Sequence, residues 1–190
     1  MVHSSFTILH VEADKMEPLE LNLPSGKVFS RLLQNNFIGA LTTLYKKELV
    51  VSAINEGLYD RGFMMEDYPL WLFIAERSEI GFIEDDTAVW RKNEESLSNS
   101  KNKKKHIMFA ASVIDVKTFF AERNHMLLEA QHRIVADLKG LLYMAFISKE
   151  EEMAALILKK LRGFNSVSFK DQLLRLGTKY SILRRLILRK

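Results

Sequence analysis

The sequence predicts a mixed α/β fold, rich in helix, in which a small sheet with short helices is followed by an all-helical extension. Three observations carry this. Over the first half the apolar residues fall in short alternating or continuous runs of strand length, broken by Gly and Pro. The segment Ser96-Leu97-Ser98-Asn99-Ser100-Lys101-Asn102-Lys103-Lys104-Lys105 then has the polar, low-complexity composition of a connector. Beyond it the apolar residues recur every three or four positions, the period of helices packed by one face. The expected units are therefore 1–98, a basic linker at 99–105 and a basic helical extension at 106–190. With 190 residues and 47% apolar content, the chain is long enough for one sizeable core, or for a small core carrying an appended helical segment.

Taken in order, Phe6-Thr7-Ile8 and Leu19-Glu20-Leu21-Asn22-Leu23 alternate as half-buried strands do, and Pro24-Ser25-Gly26 closes them as a turn. A short helix follows at 28–34, with Val28, Leu32 and Leu33 on one side. Residues 37–45, apolar with threonines and with Gly39 inside, read as a buried strand. A second short helix spans 46–55, with Gly57 suited to its C-terminal cap, and Gly62 marks a loop at 58–65. Residues 68–75 are apolar on every face, and Pro69 is tolerated in a first turn, so this is a buried helix. Two short strands, 80–83 and 87–91, flank an acidic turn at Glu84-Asp85-Asp86. After the connector, helices are expected at 106–122, 125–147, 149–161 and 170–188, with breaks near Asn124, near Ser148 and at 163–165. No internal repeat of fixed period is visible.

The net charge of +4 conceals an asymmetry. Residues 1–100 hold 9 Lys and Arg against 16 Asp and Glu, a balance of −7, whereas 101–190 hold 19 against 8, a balance of +11. The basic half is suited to an anionic surface, to the acidic half itself, or to nucleic acid. Against nucleic acid, no reader motif is present and the basic residues are spread over several helices, so no nucleic-acid partner is expected. There are no cysteines, which excludes disulfides, thiolate metal sites and thiol nucleophiles. The first residues lack the basic and apolar regions of a secretory signal, and no run approaches a membrane span. The expected location is cytoplasmic.

The segment Glu66-Asp67-Tyr68-Pro69-Leu70-Trp71-Leu72-Phe73 places two acids at the mouth of the buried helix. It stands in register with Thr42-Thr43-Leu44-Tyr45 and Gly57-Leu58-Tyr59-Asp60 before it, and with Ile80-Gly81-Phe82-Ile83, Ala88-Val89-Trp90-Arg91 and Glu94-Glu95-Ser96-Leu97-Ser98 after it. This order and spacing, over about 27–98, resembles the acceptor half of the family 2 glycosyltransferases of the GT-A type. The resemblance implies a partial GT-A domain and an inverting transfer of a sugar from a nucleotide-sugar to a glycan or lipid-linked acceptor, as in bacterial cell-surface polysaccharide assembly. It implies Asp67 as general base, Glu66 as its support, and Arg91, Trp90 and Trp71 as contacts to the acceptor or the departing diphosphate. A carboxylate in hydrogen-bond reach of a sugar hydroxyl supplies what that weak nucleophile lacks.

Other readings of these residues stand beside it. Asp67 is also placed to cap the helix, Trp71 to pack in the core, and Arg91 to serve the surface. The nucleotide-binding half of such a domain, with its Asp-x-Asp motif for Mg or Mn, is absent from these residues. The expectation is therefore a C-terminal fragment, inactive alone, or a chain whose donor site comes from a partner. Glu84-Asp85-Asp86 lies downstream of Glu66-Asp67, in the wrong place for that motif, and is expected to be a solvated corner. His3, His10, His106, His125 and His132 are scattered, so no metal site and no cofactor is expected in this chain.

In the last helix Leu173, Leu176, Tyr180, Leu183 and Ile187 form an apolar stripe, with Arg175, Lys179, Arg184, Arg185, Arg189 and Lys190 around it. A basic amphipathic helix is suited to the anionic inner face of a membrane, or to packing on its own domain with its cations in water. An alternative to the transferase reading is therefore a non-catalytic module docking on anionic membrane.

Overall fold

The computed structural model describes residues 1–18, 23–92 and 102–188. It is mixed and helix-rich, with a three-stranded sheet and eight α-helices among those residues. The chain divides into two units, Met1–Ser96 and Leu97–Lys190.

In the first unit, strand β1 (Val2–His10) lies at the centre of the sheet, antiparallel to β2 (Lys15–Pro18) on one side and parallel to β3 (Gly81–Lys92) on the other. Parallel neighbours need a crossover, and here it carries helices α1 (Phe29–Gln34), α2 (Lys47–Asn55) and α3 (Asp67–Ala75). Helix α3 packs on α1 and α2. Eight of its nine residues, Tyr68 to Ala75, are buried, as a run apolar on every face requires. The buried Tyr68 hydroxyl donates to the Leu32 carbonyl at 2.8 Å and so ties α3 to α1.

Several sequence expectations are corrected. The second strand lies at Lys15–Pro18; the segment expected to form it, Leu19-Glu20-Leu21-Asn22-Leu23, falls outside the described residues except for Leu23, which is not in a strand. Residues 37–45 form no strand. A 3₁₀ turn spans Ala40–Thr42, and the threonines satisfy themselves locally, Thr42 and Thr43 donating to the carbonyls of Gly39 and Ala40, each at 2.9 Å. Leu44 makes only an isolated bridge to Val2.

The strands expected at 80–83 and 87–91 are one strand, β3. Its twelve residues pair with the nine of β1 through register shifts around Ser4, Ser5 and Thr7, so a bulge absorbs the acidic triplet. Glu84, Asp85 and Asp86 are exposed, but they belong to this strand and not to a corner, and Asp86 accepts a hydrogen bond from Thr7.

The second unit contains α4 (Lys103–Arg123), α5 (Leu127–Ser148), α6 (Glu151–Gly163), α7 (Phe169–Lys179) and α8 (Ser181–Leu188). Its core is built from Ile107, Ile114, Leu138, Leu142, Phe146, Ile157 and Leu161, among others. The linker expected at 99–105 overlaps α4, because lysine is a good helix former and Asn102 caps the helix by accepting from the Lys105 N–H at 3.1 Å. The helix expected at 170–188 is two helices. Tyr180 between them is extended, at φ −105° and ψ 111°. Ser168 and Asp171 form a reciprocal capping box at the start of α7.

Candidate functional site

Helix α3 is apolar throughout its body, so its chemistry is confined to its ends. At the N-terminal end Glu66 occupies the cap position without a side-chain cap bond, and Asp67 is the first helical residue. The Asp67 carboxylate accepts from the Tyr68 N–H at 2.8 Å through Oδ1, and Oδ2 has no partner among the described residues. A negative charge here is favoured by the unsatisfied N–H groups of the first turn. Asp67 is half-buried and Glu66 is exposed.

Aromatic side chains surround this end. Trp71, one turn further on, is buried, and its ring lies 5.6 Å from that of Tyr45 at a tilt of 54°. Its indole N–H has no hydrogen-bond partner among the described residues, an uncommon state for a buried donor. Tyr59, from a 3₁₀ turn at Tyr59–Arg61, is close enough to feel both Tyr45 and Glu66. Burial first, then the charges of Tyr45 and Glu66, push its hydroxyl above the usual phenol range. Glu66 and Asp67 thus open a helix whose Trp71 packs on Tyr45, with Tyr59 within electrostatic reach of Glu66. Such a set can accept hydrogen bonds from hydroxyl groups and offer the exposed faces of Tyr45 and Tyr59.

Sequence reasoning gave no role to Tyr45 and Tyr59, although both sit in the motifs that carried the resemblance. The signal was a tyrosine in each of the two segments that precede this helix.

The remaining sequence candidates of this unit lie elsewhere. Trp90 pairs with Ile8 and meets the edge of Phe6 at 6.2 Å; Arg91 pairs with Leu9 and is exposed. Tyr45 follows Leu44, which bridges Val2 at the opposite end of β1. From Val2 to Leu9 is roughly 23 Å at the rise of a strand. Trp71 is thus brought to Asp67 and Glu66, while Trp90 and Arg91 are not.

In the second unit Arg175, Lys179 and Arg185 are exposed, whereas Arg184 is committed to structure. Its guanidinium donates to the carbonyls of Phe146 and Ile147 at 2.7 and 2.6 Å, satisfying the C-terminal end of α5. Arg189 and Lys190 lie outside the described residues.

Cavities with charged linings lie in both units, and two of them stand out. One of about 560 Å³ is lined by Ser25, Lys27, Arg31, Phe82 and Glu84. The other, about 540 Å³ between α4 and α5, is walled by Phe109, Val113, Leu141 and Met144, with the Lys117 and Asp137 pair at 3.5 Å in its lining. Burial holds the Lys117 amine below the usual lysine range, and Asp137 partly restores it. Among the described residues no group of three or more His, Asp or Glu side chains is placed to hold a metal ion. Comparison with protein-family models, with curated proteins and with solved structures finds no match.

Proposed function

We propose that the first unit is the acceptor-binding part of an inverting glycosyltransferase of the GT-A type, with Asp67 as its general base. The observation that carries this reading is the Asp67 carboxylate, one oxygen unspent among the described residues, at the mouth of a helix whose Trp71 packs against Tyr45, with Tyr59 within electrostatic reach of the neighbouring Glu66. The motif order over 27–98 supports it independently. In the reaction, Asp67 takes the proton of an acceptor hydroxyl. That oxygen attacks the anomeric carbon of a nucleotide-sugar, and the bond to the nucleoside diphosphate breaks on the opposite face, the leaving group taking the electron pair. Glu66 holds a second acceptor hydroxyl. Tyr45 and Tyr59 present exposed rings to the sugar, Trp71 backs Tyr45 from within the core, and this fixed backing keeps the base within hydrogen-bond reach.

The nucleotide-sugar, and the Mg or Mn that would accompany its phosphates, belong to a donor site outside residues 1–190, carried by another part of the protein or by a partner chain. Trp90 and Arg91 do not share the base's surroundings and have no role in its proton transfer. Calorimetric titration of the chain tests this division. Oligosaccharide acceptors are expected to bind in the millimolar range, about −4 kcal/mol, and nucleotide-sugars more weakly than micromolar. Micromolar binding of a nucleotide-sugar would place a donor site within these residues. With the donor portion present, Asp67→Asn should lower transfer by about 10²- to 10⁴-fold with little change in acceptor KM; unchanged turnover would remove Asp67 from the mechanism.

A further inference from the structure

We infer that the outward face of α8, with the adjoining cations of α7, docks on an anionic lipid bilayer surface. Helix α8 has no buried residue. Its roll is nevertheless fixed, because Arg184 clamps the Phe146 and Ile147 carbonyls while Leu183 and Ile187 turn half-buried toward the unit. That leaves Ile182 and Leu186, one helical turn apart on the same side, 76% and 57% exposed. Arg185 lies between them in sequence and is exposed too. At the foot of α7, Tyr180 is half in water, with the Lys179 ammonium 5.9 Å from its ring centre.

The exposed charges of α7 and α8 are all positive, and the acid that reaches them is Glu151 of α6. Lys170, Arg175 and Arg185 have no ion-pair partner among the described residues, and Lys179 is only loosely paired, 3.9 Å from Glu151. The one acid of α7, Asp171, is buried and spent on its capping box. Isolated exposed aliphatics need no explanation, but two on one turn of a helix flanked by unpaired cations match the boundary between headgroups and acyl chains. A nucleic-acid backbone would use the cations and leave Ile182 and Leu186 with nothing to contact. Among the described residues no helix is long and apolar enough to cross a membrane, so the attachment is to the surface.

Co-sedimentation of the full chain with vesicles tests this. The chain should bind vesicles of phosphatidylcholine and phosphatidylglycerol in equal parts, should not bind phosphatidylcholine alone, and should be released as salt rises. Arg185→Glu should weaken binding by about 30-fold, two charge units at about fivefold each. Ile182→Asp and Leu186→Asp should abolish it while the circular dichroism of the chain is unchanged, since neither side chain is packed; the milder Ile182→Ser keeps the test open if either variant misfolds. Binding that survives these substitutions would overturn the inference. So would a chain that ignores anionic vesicles but self-associates in sedimentation velocity through Ile182, or that binds a DNA duplex with an affinity indifferent to Ile182 and Leu186.

Discussion

Gly177 and Gly140 should respond in opposite directions to the same substitution. A Cβ at Gly177 in α7 would stand 2.6 Å from Phe146 Cε2 and 3.1 Å from both Phe146 Cδ2 and Ile187 Cδ1. None of these can retreat freely. The Phe146 ring is fully buried in the core of the second unit, Arg184 stacks 5.3 Å from its centre, and Ile187 is a contact of α8. Overpacking of this kind costs about 1–3 kcal/mol. Removing a glycine from a helix interior returns about 0.5–1 kcal/mol. Gly177→Ala should therefore destabilise by about 1–2 kcal/mol, a midpoint loss of roughly 5–10 °C for a unit near 100 residues. At Gly140 in α5 the same Cβ meets nothing within 4 Å, so only the helical gain remains and the midpoint should rise. Differential scanning calorimetry of the two variants reads both signs. A Gly177→Ala protein at or above the parent midpoint would refute the close approach of α7 to α5 and α8.

Two further outcomes follow from the first unit. His3 is fully buried between the rings of Phe82 and Phe37, at 5.1 and 6.1 Å, with neither ring nitrogen hydrogen-bonded among the described residues, and burial holds its pKa below the ordinary 6.5. The unfolded chain therefore takes up this proton first: stability from His3 is full above about pH 6.5 and is lost as pH falls below it, by up to about 1.4 kcal/mol per pH unit. His3→Phe should flatten the denaturation midpoint between pH 7 and 5.5, and an unchanged slope would exclude His3 as its source. Tyr68→Phe should cost about 1 kcal/mol by leaving the Leu32 carbonyl without its donor, seen as a lower urea midpoint at constant m-value.

The parts of the fold that could be read in advance are those where a local pattern had no competitor. Helix α3 is one: nothing but a buried helix accommodates nine residues with a single charge at the first position and proline in the first turn. Gly57 is another, its φ of 66° being the left-handed conformation that a helix end needs. Where reading failed, a local bond or a pairing partner intervened. Thr42 and Thr43 have strand propensity, but their hydroxyls found backbone carbonyls three residues back and held a turn. Glu84, Asp85 and Asp86 break the apolar period of a strand, yet a hydroxyl–hydroxyl bond between Ser4 and Thr87 and the bond that Thr7 donates to Asp86 keep the strand continuous through its bulge. The break at Tyr180 leaves the helical period of the apolar residues intact, so the pattern could not reveal it; it is set by the packing of Ile187 and Arg184 against α5.

The site divides in the same way. Asp67, Glu66 and Trp71 were visible because they share one helix mouth. The separation of Arg91 depends on how far β3 runs along β1, which spacing alone does not encode.

The most direct measurement is the emission of Trp71. The chain has two tryptophans, so a Trp90→Phe variant reports from the mouth of α3 alone. Titrated with oligosaccharide acceptors, its emission should change saturably, and the change should weaken by about tenfold when Tyr59→Ala removes one ring, a loss of about 1.4 kcal/mol. An emission indifferent to every sugar, while Trp90 in a Trp71→Phe variant responds to them, would contradict the account and move any acceptor to the far end of the sheet.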